Sequence, residues 1–166
     1  MLTSKLFIQN LQAGVKPATG CTEPIAVAFA AANCRVHLDE GEIEKIEVLV
    51  SSNVMKNAMA VMVPGIGEPG LQIAAATGAL AGDATAGLDV IANIATDKIP
   101  LIKTLAYSGK ETAKIAPVED DLYVEVGIQT ATSDVRVYIA GSHTNIYRLE
   151  KDGQRLIDHE RPASHA

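Results

Sequence analysis

The spacing of apolar residues changes once along the chain, from helical periodicity to strict alternation. Up to about residue 115, most segments place apolar residues three or four positions apart, which is the spacing of an amphipathic or buried helix. The pattern predicts helices over residues 2–11, 25–36, 54–61, 71–80, 88–96 and 100–107. The second of these is apolar on almost every side, which indicates a helix enclosed by the core.

Alternation of apolar and polar positions predicts the strands. One strand, residues 44–50, interrupts the helical part, and its residues Ile46, Val48 and Val50 share one face. After Pro117 the same alternation predicts four strands joined by short turns, over residues 122–129, 135–139, 146–150 and 155–157. We therefore predict an α+β fold, in which buried, alanine-rich helices pack with a mainly antiparallel sheet that has one buried face.

Composition supports a single globular unit. The 166 residues are 48% hydrophobic and only 4% aromatic, so we expect an aliphatic core. We predict one domain or lobe over residues 1–166, mostly helical with one strand over 1–117, antiparallel strands over 118–158, and a frayed tail over 159–166.

The charge of the chain excludes several classes of partner. The formal net charge is −6, and basic residues nowhere form a cluster. Nucleic acids and anionic membrane surfaces are bound through such clusters, so we expect neither as a partner. The sequence starts without the features of a signal peptide and contains no apolar run of about 20 residues, so we expect a cytoplasmic protein.

The first candidate for chemistry is Cys21, which lies between Gly20 and the helix that Pro24 opens. Backbone N–H groups at a helix start favour a thiolate, which is a better nucleophile and metal ligand than a thiol. The alternative is a cysteine that packs beneath the turn. Cys34 follows thirteen residues later, about 19 Å away along a continuous helix, so the two thiols cannot hold one metal cluster. We expect Cys34 to be a core residue.

The second candidate is the polar segment that follows the first predicted strand. Ser52, Asn53, Lys56 and Asn57 lie there, at the start of a predicted helix. They can simply cap and solvate that helix. They can also hold an anion such as a substrate carboxylate, because free N–H groups and an ammonium are close together.

The third candidate lies between two predicted strands, in the segment that contains His143 and Asn145. Polar residues at such a place are often turn residues. A histidine there can also act as a general acid or base. Both interpretations remain open from the sequence.

Five ordered blocks of sequence resemble a known family. They read KPATGCTEPIAVA (16–28), SSNVMKNAM (51–59), VPGIG (63–67) with Gly70-Leu71, GALAGD (78–83) and HTNI (143–146). Together they resemble the N-terminal portion of the iron–sulfur L-cysteine desulfidases, which are related to the α part of the iron–sulfur L-serine dehydratases.

The resemblance implies an oxygen-labile [4Fe–4S] cluster, held by three cysteines, whose open iron acts as a Lewis acid. It implies a lyase of cysteine catabolism that turns L-cysteine into pyruvate, ammonia and hydrogen sulfide, or L-serine into pyruvate and ammonia. Cys21 matches the first cluster ligand. The polar segment with Ser52, Asn53, Lys56 and Asn57 would bind substrate, and His143 with Asn145 would complete the catalytic pocket.

Family members are much longer, and their other cluster cysteines lie in a C-terminal half that this sequence lacks. The resemblance therefore implies an N-terminal half or a truncated homologue, inactive by itself, that forms a homo-oligomer or binds a C-terminal partner chain. A second polypeptide, a lost half and a sequence limited to the N-terminal portion all remain open. The alternative is a catalytically inert module of the same fold that binds a small amino acid or a partner.

Overall fold

The computed structural model describes residues 22–38, 42–60, 70–85, 87, 90, 94–120 and 122–161, and of residues 22, 23 and 57–60 the backbone alone. Within them, the α-helices are Thr22–His37 (α1), Ser52–Ala60 (α2), Leu71–Ala81 (α3) and Ile99–Ala106 (α4). Each corresponds to a helix predicted from apolar spacing. The helix predicted over residues 2–11 lies outside the described residues.

The helix predicted over residues 88–96 is wrong where the structure describes it. Val90 lies in a turn, and Ile94 and Ala95 are not helical; a short 3-10 turn, Thr96–Lys98, then leads into α4. The backbone N–H of Asp83 donates to the Val90 carbonyl (2.8 Å). This bond closes an irregular turn in which the Val90 side chain is buried without a helix.

One six-stranded sheet contains the strands of the described residues, in the order β2-β1-β3-β4-β5-β6. They are Lys45–Val50 (β1), Glu111–Ile115 (β2), Tyr123–Gln129 (β3), Asp134–Ala140 (β4), Ile146–Lys151 (β5) and Gln154–Asp158 (β6). The pair β1/β2 is parallel and the other pairs are antiparallel. The predicted α+β fold with a mainly antiparallel sheet is confirmed.

Strand β2 corrects the prediction of a single strand within residues 1–117. Its sequence, ETAKI, lacks apolar alternation because it lies at the sheet edge, where Thr112, Lys114 and Ile115 are exposed. It is a strand because its backbone pairs with β1, with Ile46 opposite Glu111. Such pairing depends on tertiary structure and leaves little trace in the sequence.

The helices cover one face of the sheet. Ile46, Val48 and Val50 are fully buried on that face, as predicted, and the alternating residues of β3 and β4 continue it. Helix α1 packs on β3 and β4 and against α3. The two helices are so close that a Cβ added to Gly78 would lie 2.1 Å from the carbonyl oxygen of Ala28. Small side chains in both helices permit this contact.

The other face of the sheet carries polar and aromatic side chains. The Arg136 guanidinium bridges the carboxylates of Glu47 and Glu125, and it holds the pKa of Glu47 below its usual value. The tail predicted to be frayed contacts this face as far as Arg161, which pairs with Asp120 and lies over the ring of Tyr123.

No helix within the described ranges is both long enough and apolar enough to cross a bilayer.

Candidate functional site

The first feature of the candidate site is one end of the sheet, defined by Ser51, Tyr123 and Ala140 and called here the Ser51 end. The Ser51 N–H donates to the Tyr123 carbonyl (3.0 Å), and the Tyr123 N–H donates to Ser51 Oγ (3.2 Å). Tyr123 in turn pairs with Ala140, the last residue of β4. The last residues of β1 and β4 therefore lie at the same end of the sheet, one on each side of the start of β3.

Helix α2 begins at the Ser51 end. The carbonyl of Ser51 accepts a hydrogen bond from the Met55 N–H (3.0 Å), which closes the first turn. Val54 is buried, whereas Ser52, Asn53 and Lys56 are exposed. At about 100° per residue these three lie on one side of the helix, so the structure places them on a common exposed face. The side chain of Asn57 lies outside the described residues.

The turn between β4 and β5 also lies at the Ser51 end, because it follows Ala140 directly. Asn145 closes this turn: its Nδ2 donates to the Ala140 carbonyl (2.8 Å), and its carbonyl accepts from the Ala140 N–H (3.3 Å). Gly141 allows the tight turn through its φ of 88°. Asn145 thus holds the turn that carries the half-buried His143.

The structure brings the second and third candidate segments together. Neighbouring strands are about 4.8 Å apart, so β1 and β4, with β3 between them, are separated by roughly 10 Å. At that distance the exposed face of α2 and the His143 turn could contact the same small molecule. Their assignment to substrate binding and catalysis stays a prediction.

Helix α1 also starts near the Ser51 end. The last turn of α1 leads into β1 at the opposite end of the sheet. Between these two ends, Cys34 Sγ donates a hydrogen bond to the Val126 carbonyl in the middle of β3 (3.1 Å). From Cys34 back to Thr22, α1 extends about 18 Å, which is far enough to reach the start of β3. Contacts between α1 and α2 agree with this direction. Cys21 comes immediately before α1 and lies outside the described residues.

Cys34 is a core residue, as predicted. It is fully buried, and burial raises the pKa of its thiol far above the usual value, so the thiol stays protonated at neutral pH. In the described part of the chain, no three His, Cys, Asp or Glu side chains are grouped so that they could bind a metal ion.

Glu111 is a titratable group that was not predicted from the sequence as a candidate. Its side chain is buried on the helix-covered face of β2, beside Ile46, and neither carboxylate oxygen has a hydrogen-bond partner. Burial raises its pKa to about 9, so the carboxyl is neutral at physiological pH. Since β2 itself was not predicted, nothing in the sequence indicated that this glutamate would face the core.

The described residues form one α+β lobe, and polar side chains lie at one end of its sheet. The chain is 65% identical over 165 residues to a Latilactobacillus sakei protein named UPF0597 protein, a match that covers 99% of this chain and 38% of that relative. A Vibrio parahaemolyticus UPF0597 protein is 43% identical over 152 residues (92% and 36%), and UPF0597 protein YhaM of Salmonella newport is 45% identical over 147 residues (88% and 34%). No family profile matches the chain.

The relatives correct the family resemblance. The proteins that match almost the whole chain are named UPF0597 proteins, so the assignment to the iron–sulfur L-cysteine desulfidases is wrong. The chain spans 34–38% of the length of these relatives.

Proposed function

We propose that this chain is the amino-acid-binding portion of a larger lyase that converts L-cysteine or L-serine to pyruvate and ammonia, with release of sulfide from cysteine. The observation that supports the proposal is the arrangement at the Ser51 end, where β1, which leads into α2, and β4, which leads into the His143 turn, are separated by roughly 10 Å. In this arrangement, groups that bind an anion and a group that transfers a proton would reach the same small ligand.

The roles of the residues follow from their chemistry. The first N–H groups of α2, together with Lys56, would bind the substrate carboxylate. The His143 imidazole would move a proton during the loss of the β-substituent, since imidazole is the commonest general acid and base. Asn145, which closes the turn, would keep His143 in position.

An iron–sulfur cluster does not fit the described residues. Such a cluster needs several thiolates, and Cys34 is a protonated core thiol that bonds to Val126. We therefore propose that the cluster forms only in the assembled protein, in which Cys21 would be the single ligand from this chain. The remaining ligands would come from a segment equivalent to the rest of the relatives, in a partner chain or in the same polypeptide.

We expect the chain alone, purified without oxygen, to contain little iron and little acid-labile sulfide, because one available thiol cannot hold a cluster. Iron analysis and absorption spectra measure this. The same analysis after mixing with the part of the L. sakei relative that this chain does not match should show a gain of iron. About four irons in the chain alone would contradict the proposal.

Light scattering of the chain alone tests whether it forms a homo-oligomer.

We expect Lys56→Ala to weaken binding of L-serine or L-cysteine about tenfold to a hundredfold. A charge-assisted hydrogen bond contributes about 1.5–3 kcal/mol, and each ~1.4 kcal/mol is a factor of ten in affinity. Calorimetric titration measures the effect. Lys45→Ala is the matched control, because Lys45 is also an exposed lysine but lies at the start of β1, at the opposite end of the sheet from Ser51.

If Lys56→Ala binds as tightly as the parent chain, the segment is only the solvated start of a helix. If the assembled protein binds the amino acid through Lys56 but releases no pyruvate, the inert amino-acid-binding module is the better description.

A further inference from the structure

A cavity of about 350 Å³ lies at the end of the sheet opposite the Ser51 end. It is partly open to solvent and is lined by the last turn of α1, the end of α3, helix α4 and the segments that lead into β1 and β2. We call it the Arg35 cavity, after the residue of α1 that lines it. Its volume is in the range of small-molecule sites. None of the residues assigned to the proposed lyase site lines it.

The walls of the Arg35 cavity are aliphatic. They are formed by the side chains of Ile43, Leu80, Leu101 and Leu105. Leu101 is 54% exposed, which is unusual for a leucine on a helix that packs against a core. Such walls favour a ligand with an aliphatic group.

Charged groups of both signs line the same cavity. Arg35 and Glu42 form no ion pair with each other, and neither side chain is bonded to any residue within the described ranges. Lys110 adds a second cation, and its Nζ donates to the Ile43 carbonyl at 3.4 Å. An apolar cavity with separate cationic and anionic groups matches a molecule that has both charges and an apolar body.

We propose that the Arg35 cavity binds a free aliphatic amino acid of about the size of leucine. The carboxylate pairs with Arg35 and Lys110, the ammonium pairs with Glu42, and the side chain packs on the leucines. The charged groups are exposed, so each contributes modestly, and we expect a dissociation constant on the order of 0.1–1 mM. The proposal is independent of the lyase function and concerns a second site.

The ligand's two charges are tested by calorimetry of the whole chain with three probes: L-leucine, 4-methylpentanoate, which lacks the ammonium, and 3-methylbutylamine, which lacks the carboxylate. We expect L-leucine to bind about fivefold more tightly than either analogue. Arg35→Gln should reduce the preference for L-leucine over the amine, because Lys110 alone then pairs with the carboxylate, and Glu42→Gln should remove the preference over the acid. Equal or tighter binding of either analogue to the parent chain would overturn the proposal.

The location is tested with two exposed leucines. Leu101→Glu should abolish L-leucine binding, because it puts a carboxylate on the cavity wall. Leu156→Glu is the matched control, since Leu156 is 51% exposed on β6, and it should bind normally. Lys56→Ala should also bind normally, which separates this site from the proposed lyase site. No saturable heat with L-leucine at millimolar concentration, or equal binding by Leu101→Glu and the parent, would show that the cavity is not the site.

Discussion

Gly78→Ala is expected to destabilise the protein by about 3 kcal/mol, although in a solvated helix the same change stabilises by roughly 1 kcal/mol. The new Cβ would lie 2.1 Å from the carbonyl oxygen of Ala28 and 2.7 Å from its carbonyl carbon and Cα. These are backbone atoms of a buried helix, so no side-chain rotation can relieve the clash. Helix α1 or α3 must move, and the small-residue contact between them is lost.

Urea unfolding monitored by circular dichroism measures this effect. Gly153→Asn is the control: Gly153 has a φ of +86°, which asparagine tolerates, and an added Cβ there meets no atom within 4 Å. The positive φ still strains an asparagine there, so we expect that variant to lose about 1 kcal/mol, well below the loss in Gly78→Ala. A Gly78→Ala protein as stable as the parent would mean that α1 and α3 are not in backbone contact.

The second large effect concerns Glu111 and pH. Its pKa is raised from 4.5 to about 9 in the folded state, so between these values the folded protein keeps a proton that the unfolded chain releases. The stability contributed by this group therefore falls as pH rises from about 4.5 to about 9, by about 1.4 kcal/mol per pH unit. Between pH 6 and pH 8, the free energy of unfolding should therefore fall by about 3 kcal/mol because of this group.

Glu111→Gln cannot titrate, so it should lose this part of the pH dependence. The free energy of unfolding of both proteins, measured across that pH interval, gives the difference in slope, which does not depend on how well the new amide is bonded. Glu119→Gln is the control, because Glu119 is exposed, and it should keep the parent's slope. Identical slopes for the parent and Glu111→Gln would show that water or a partner reaches this carboxyl.

The fold was predictable wherever burial repeats with a regular period. The spacing in α1 and α3 and the alternation in β1, β3 and β4 were read correctly because each element buries one face or all of itself against the core. Two predictions failed where burial does not repeat with a regular period. Strand β2 exists through its backbone pairing with β1, and Val90 is buried in an irregular turn without belonging to a helix.

The sequence by itself determined the α+β class, the aliphatic core and the two polar segments around Lys56 and His143, because these depend on local spacing and on residue type. Only the tertiary structure decided that both segments lie at the Ser51 end, since the strand order β1-β3-β4 joins residues that are about 90 positions apart. It also decided that Glu111 faces the core and that Gly78 touches Ala28. Such contacts depend on how distant elements pair and pack, which no local period in the sequence specifies.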